Sequence, residues 1–495
     1  VSHLIVRSLE RRRDRRNDAA MDFSPPGHFR NAADLRTHLQ TLGAGFGLDD
    51  GYAAGGPLGQ PLSLFGRTVE NRFVTHPMEG WDGTTEGAPS EHTLRRWRRF
   101  GQSGAGLIFG GEAFAVVPEG RANKNQLHLG ADSERHLGQL LAEVRAGSQE
   151  AGGGKPLTSL QLTHSGRFSR PLGPFAPRIA HHHPLLAKKY NLPENLPLLS
   201  DGELETIGEA YVRAAAVAQR AGFDFVDVKC CHGYLLHELL ASKTRKGSYG
   251  GSFGNRTRLF QQIVAGIRNT CPGLGIAVRL SAADTVPFQR GASDPTGEPM
   301  SAPDFDWTLY HFGISKDDPT RFDLAEPIQF VQMLQSLDIP LVNVTLGSPY
   351  WNPHLQRPAA YPPSDGYQPP ADPLLMVGQH LAVTRTLVQA CPKTRFVGTG
   401  YTYLQEWLPH VAQHEVAAGH VHLIGLGRLV LSYPDLPRDV LAGRPLQRKR
   451  ICRTFSDCTT GPRNGMLSGC FPLDPYYKEM PEAARVKAIN QQNRP

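Results

Sequence analysis

What the 495-residue chain lacks narrows it first. No apolar run approaches the ~20 residues that a bilayer-spanning helix needs. No apolar targeting core follows the basic N-terminus, so the expectation is an unexported, cytoplasmic protein. Cysteine is scarce and odd in number, seven in all, which argues against a disulfide framework. No Gly-x-Gly-x-x-Gly follows a candidate strand, so the chain has no Rossmann fingerprint. Internal repeats with periods of ~20–50 residues are missing, which removes solenoids and propellers. The net charge is only +7, and residues 1–20 supply +3 of it, with six Arg against three acidic residues. That arm reads as a disordered, solvated tail rather than a nucleic-acid binder. Val1 opens the chain and Met21 lies downstream, which reads as an over-extended start.

What is present is an alternation. Short apolar, β-branched stretches read as strands at Asn71–His76, Gly106–Phe109, Thr158–Thr163, Phe225–Lys229, Ile276–Leu280, Leu341–Thr345, Arg395–Val397 and Val421–Ile424. Helical patterns lie between them, at Thr93–Gln102, Ser133–Ala146, Asp201–Ala221, Asn255–Asn269, Pro327–Leu337, Leu374–Ala390 and Leu404–Ala418. The helix at Asp201–Ala221 is the best marked. Ser200 and Glu203 form a capping-box pattern, and Gly222 stands where a helix stops. Eight such units predict an α/β fold, a (β/α)₈ TIM barrel, with an open doubly wound sheet as the alternative. The barrel is expected over residues 61–445, after an N-terminal extension over 1–60 with a helix at Ala32–Leu42. A Cys-containing C-terminal tail follows over 446–495. Long loops after the third, fifth and sixth strands fall on the C-terminal face, where barrels carry their sites, and their aromatic residues favour lids.

The most informative stretch is Phe225–Arg256. A strand ends in Lys229-Cys230-Cys231-His232-Gly233-Tyr234, and Tyr249-Gly250-Gly251-Ser252 and Asn255-Arg256 follow. Upstream stand His76-Pro77-Met78-Glu79, Glu112-Ala113 and Gln161-Leu162-Thr163-His164-Ser165-Gly166-Arg167. Together these resemble the Old Yellow Enzyme family of FMN oxidoreductases. The barrels of 2,4-dienoyl-CoA reductase and trimethylamine dehydrogenase are similar.

The resemblance implies roles. Pro77, Met78 and Glu79 would lie along the flavin, with Glu79 where Thr or Cys is usual and His76 where a small residue is usual. Ala113 would pack on the pyrimidine ring. The Gln161 amide would pair with the pyrimidine edge, since it carries both a donor and an acceptor. Arg279 would stand beside the electron-rich flavin nitrogen, and a guanidinium inside an apolar strand is costly unless partnered. Gly400, Tyr401, Gly427 and Arg428, after the seventh and eighth strands, would hold a single phosphate. Lys229 and His232 would polarise a carbonyl, and Tyr234 would protonate carbon. His164 reads as structural. Glu79 and Lys229 are expected to pair across one rim.

The implied activity is hydride transfer from NADH or NADPH, through FMN, to an activated alkene. One alternative is oxidative dehydrogenation or demethylation of a small amine. Another is a flavin-free barrel lyase that uses Lys229 as a Schiff-base nucleophile. The expected partner is a small-molecule substrate, with neither nucleic acid nor membrane, and homo-oligomerisation is left open. Larger relatives hold a [4Fe–4S] cluster after the barrel with four Cys. Here Cys452, Cys458 and Cys470 are one thiolate short, so a tail without a bound metal is the expectation.

Overall fold

The computed structural model describes residues 23–493. The Arg-rich arm lies outside the described residues. Eight parallel strands close a ring: β1 (Phe73–Thr75), β2 (Leu107–Ile108), β3 (Leu157–Thr163), β4 (Phe225–Val228), β5 (Gly275–Ser281), β6 (Leu341–Thr345), β7 (Arg395–Gly398) and β8 (Leu423–Leu426). β8 pairs back to β1 through Ile424–Phe73, Gly425–Val74 and Leu426–Thr75, which leaves no free edge. Helices α1 (Glu91–Gly101), α2 (Ser133–Glu150), α3 (Asp201–Ala221), α4 (Phe253–Thr270), α5 (Ala325–Ser336), α6 (Pro373–Ala390) and α7 (Leu408–Ala417) return the chain between strands. The fold is a (β/α)₈ barrel.

Local chemistry explains the boundaries. On α3 the Ser200 hydroxyl accepts from the Glu203 N–H, the Glu203 carboxylate accepts from the Ser200 N–H, and Gly222 ends the helix at φ 100°. The helix read at Leu404–Ala418 begins instead at Leu408. Residues 401–407 wind as a 3₁₀ segment, broken by Gln405 at φ 54°. β8 begins at Leu423 rather than Val421, after the polar His422.

The side-chain period of two divides each strand between lumen and helix layer. Val226 and Val228 pack outward with Ile276, Val278, Val342 and Val344 against the helices. Phe225 packs inward with Val74, Leu107, Phe109, Leu157, Ala277, Leu341, Val397 and Leu423. A hairpin, Leu62–Leu64 with Arg67–Val69, plugs the N-terminal end of this lumen. Its two-residue turn, Phe65-Gly66, has φ of 52° and 71°, the type I′ geometry that suits the twist of a hairpin. Phe65 stacks on Phe225 at 5.0 Å.

The tail folds back over the C-terminal mouth. Asp474 accepts two bonds of 2.9 Å from Arg95 of α1. Thr454 accepts from the Ala360 N–H, and Arg357 donates to Ser456 at 2.8 Å. Met466, Phe471, Tyr477 and Val486 give the tail a small core of its own.

Candidate active site

One step above the apolar lumen residues, the inward positions turn polar. His76 lies beyond Val74, Gln161 beyond Leu157, Asp227 and Lys229 beyond Phe225, Arg279 beyond Ala277, and Asn343 beyond Leu341. His76 crosses the lumen. Asn343 Nδ2 donates to its Nδ1 at 3.0 Å, its Nε2 meets Thr399 Oγ1 at 3.1 Å, and Thr399 donates onward to the Val344 carbonyl. That order requires a neutral ring. Burial, helped by Arg279, holds its pKa well below the ordinary range. A Cβ on residue 425 would come within 2.0 Å of His76, so glycine there lets the imidazole pass.

Asp227 joins the next three strands. It accepts from Gln161 Nε2 at 2.5 Å and from the Arg279 backbone N–H at 2.7 Å. Burial lifts its pKa to about 6 against those two bonds. The Arg279 guanidinium donates to the Pro77 carbonyl at 3.2 Å, while its buried Nε has no partner among the described residues. Asp227 is a residue the sequence reading missed. The signal was there: an acid at the centre of an apolar strand, in phase with Phe225 and Lys229.

At the end of β4 the chain turns through His232 at φ 65° and Gly233 at φ 76°. The His232 N–H donates to Ser281 Oγ, and its carbonyl accepts from Ser348 Oγ at 2.8 Å. These bonds hold a left-handed conformation that costs a non-glycine residue energy. Burial, with Arg279 and Lys229 nearby, keeps the His232 imidazole neutral. Tyr234 donates its hydroxyl hydrogen to Glu79 Oε2 and meets the Tyr350 hydroxyl at 2.8 Å. Lys229 Nζ sits 3.7 Å over the Tyr234 ring. Among the described residues no direct Glu79–Lys229 ion pair forms: Glu79 meets the Tyr234 hydroxyl and Lys229 the face of its ring. Tyr350 is fixed in turn by stacking on Phe168 at 3.8 Å. The β1 end is anchored from below. Glu112 accepts from the Gly80 N–H at 2.9 Å and from Arg96 of α1 at 2.7 Å.

A single cavity gathers Pro77, Met78, Glu79, Gln161, Lys229, His232, Tyr234, Arg279, Gly400, Gly427 and Arg428. Two expected residues do not border it. Ala113 is buried on a short strand beside Gln161, and Tyr401 turns its ring back under Gly398. His164 is outside as well, buried, with its Nδ1 accepting from the Gly166 N–H. Trp81, Gln356, Thr402 and Tyr403 join the lining. Sequence reasoning missed them, since Trp81 lies in a loop and Gln356, Thr402 and Tyr403 in helical segments too short to show a period. At the far end Arg428 is half-buried, and its buried Nη1 has no partner among the described residues.

The sequence of residues 57–306 matches the profile of the NADH:flavin oxidoreductase / NADH oxidase family. The chain belongs to this family. It is 30% identical over 240 residues to an NADPH dehydrogenase of Geobacillus sp. (strain WCH70), a match over 46% of this chain and 64% of the relative. It is 32% identical over 227 residues to an NADPH dehydrogenase of Halalkalibacterium halodurans, over 44% of this chain and 61% of the relative. The match thus spans a little under two thirds of these curated relatives. Among solved structures, 2-naphthoyl-CoA reductase aligns over 86% of this chain and 58% of its own, with a TM-score of 0.61 at 19% identity. Old Yellow Enzyme from Pichia sp. AKU4542 aligns over 81% of this chain and 92% of its own, at 0.54 and 22%. These likenesses are of fold.

The cavity fits the flavin mononucleotide of that family. Two buried guanidinium nitrogens without protein partners, on Arg279 and Arg428, suit an electron-rich ring atom and a phosphate. Gly400 and Gly427 leave backbone exposed beside Arg428. Cys452 and Cys458 border the cavity near Arg428, and burial pushes the Cys452 thiol up to about 12. No group of three or more His, Cys, Asp or Glu among the described residues is arranged to hold a metal ion. No helix among them is long and apolar enough to cross a membrane.

Proposed function

We propose that the chain is an FMN-dependent NAD(P)H oxidoreductase that reduces an activated alkene next to a carbonyl. The observation that carries this reading is the convergence of Gln161, Arg279 and Arg428 with Lys229, His232 and Tyr234 on one cavity. When bound, FMN would accept a hydride from the nicotinamide and pass it to the alkene. Gln161, braced by Asp227, would hold the pyrimidine edge. Arg279 would hold negative charge beside it, and Gly400, Gly427 and Arg428 would hold the phosphate. Lys229 and His232 donate toward the substrate oxygen. Tyr234, a weak acid with an apolar body, gives a proton to the substrate carbon. NADPH as reductant is supported by the names of the curated relatives. A small-molecule substrate and a cytoplasmic setting complete the proposal.

One observation favours a second reading. The Tyr234 hydrogen points to Glu79, an arrangement suited to taking a proton in oxidation of an amine. Family membership gives the Schiff-base lyase no support. The test is Tyr234→Phe in rapid-mixing experiments with an enone. Reoxidation of the reduced protein is expected to slow by about 10²-fold or more, with reduction by NADPH unchanged. A full enone rate in the variant would remove Tyr234 from the mechanism. Bleaching by N-methyl amines, with no response to NAD(P)H, would transfer the assignment to the second reading.

A further inference from the structure

Glu79 ends β1 where its carboxylate takes the hydroxyl hydrogen of Tyr234. A phenol carries one hydrogen and two acceptor positions. While that hydrogen lies on Glu79, Tyr234 offers the cavity only a lone pair. When Glu79 is protonated the bond reverses. The carboxyl then donates to the phenol oxygen, and the phenol hydrogen is free to turn toward a substrate.

We propose that Glu79 is a positioning residue that sets the direction of the Tyr234 proton, so that its protonation switches the site from taking a proton to delivering one. This rests on the reading of Tyr234 as the proton donor. In delivery, the Tyr234 O–H bond breaks as a C–H bond forms at the substrate carbon. That carbon carries the electron pair left by hydride addition at its neighbour, from the donor named above. The Glu79 O–H bond breaks as the Tyr234 O–H bond re-forms. The outcome is a Glu79 carboxylate accepting from Tyr234, which is the bond in this structure. Solvent returns one proton to Glu79, with the Tyr350 hydroxyl 2.8 Å from that of Tyr234.

The surroundings single out Glu79 for this task. From the β4 end, Lys229 lies over the ring face, not at the hydroxyl. His232, also from the β4 end, is neutral, and Arg279 of β5 donates to Pro77. On β1 itself His76 is committed to Asn343 and Thr399. Tyr350 approaches from the loop after β6, backed by Tyr190, and Arg463 acts on Tyr350 from the tail. Glu79 is the one carboxylate bonded to Tyr234 among the described residues. Burial, and then the Glu79 charge, raise the phenol pKa, so Tyr234 keeps its proton until a substrate takes it.

The test uses Glu79→Gln, whose amide keeps the shape and donates permanently to the phenol oxygen. In the flavin-free protein, tyrosinate absorbance is titrated with Tyr234→Phe as the blank. The Tyr234 transition is expected at lower pH in Glu79→Gln than in wild type. In the FMN-loaded protein, wild-type enone reduction is expected to fall about tenfold per pH unit along its alkaline limb, the slope of one proton. Glu79→Gln is expected to lack that limb. Glu79→Asp, which withdraws the carboxylate by one methylene, should lower the Tyr234 transition part-way. An unmoved Tyr234 titration, or a wild-type limb retained in Glu79→Gln, overturns the proposal. If Tyr234→Phe is slow and Glu79→Gln keeps the limb, only the role of Glu79 falls. If Tyr234→Phe keeps the full enone rate, the donor reading itself fails.

Discussion

The two halves of the barrel lumen share strands, register and burial, and differ in chemistry. The N-terminal half is closed by Phe225, Leu157, Leu341 and the hairpin residues Leu64 and Val69. The C-terminal half, one or two inward positions further along the same strands, holds Gln161, Asp227, Arg279, Asn343 and His76, all buried. The lower layer has every reason to be where it is from hydrophobic burial alone. The upper layer does not. It removes a cation, an acid and an imidazole from water and leaves the Arg279 Nε unpartnered among the described residues. A fold needs the first layer, and a ligand explains the second. This division matches the general rule that barrel sites occupy the C-terminal face.

Substitutions in the two layers should therefore separate stability from cofactor binding. The largest effect is expected from Phe225→Ala, which empties the lower lumen. It should cost about 3–5 kcal/mol in chemical denaturation, while the folded fraction binds FMN as wild type does. Loss of FMN affinity without loss of stability there would blur the comparison. Arg279→Met should do the reverse. Removing one charged hydrogen-bonding group is worth about 2–3 kcal/mol of FMN affinity, some 30- to 150-fold by titration. The flavin-free protein should be no less stable, since a buried cation has been replaced by an apolar chain.

The third prediction sharpens the comparison through pH. The folded pKa of Asp227 is raised to about 6 by burial, above its unfolded value. The native state therefore holds its proton in the window where the unfolded state has lost it. Its contribution is fully present below about pH 4 and is lost as pH rises to about 6. The loss is on the order of 2–3 kcal/mol. Asp227→Asn should remove that slope from urea unfolding of the flavin-free protein. An identical slope in the variant would place the titration elsewhere. The smallest effect is expected from Thr399→Val, which strands the His76 Nε2–H and the Val344 carbonyl. It should cost about 1 kcal/mol in chemical denaturation of the flavin-free protein.

Much of the fold was legible because barrel strands buried on both faces read as short β-branched runs between helical periods. The strand Leu341–Thr345 and the helices Ala32–Leu42 and Asp201–Ala221 agree with the sequence reading to the residue. The Phe65-Gly66 hairpin and the tail helices were not legible. The first is only a few residues per strand, and the second, from Asp457 to Asn493, is short and interrupted by Pro. At the site, Gln161, Arg279 and Tyr234 stood out because they fall within the family-like motifs that end or cross the strands. Asp227 was hidden because its partners lie on two neighbouring strands. Tyr401 shows the opposite limit: its neighbour Gly400 borders the cavity, but its own ring turns back against Gly398. The expected Glu79–Lys229 pair left out Tyr234, whose hydroxyl meets Glu79 and whose ring face meets Lys229.

The most direct measurement is titration of the flavin-free protein with FMN, followed by quenching of flavin fluorescence, for wild type, Arg279→Met and Phe225→Ala. One FMN per chain is predicted, with affinity lost in Arg279→Met and kept in the folded fraction of Phe225→Ala. Wild-type protein that takes up no FMN, or an Arg279→Met variant that binds it undiminished, would contradict the assignment of the upper lumen to the flavin.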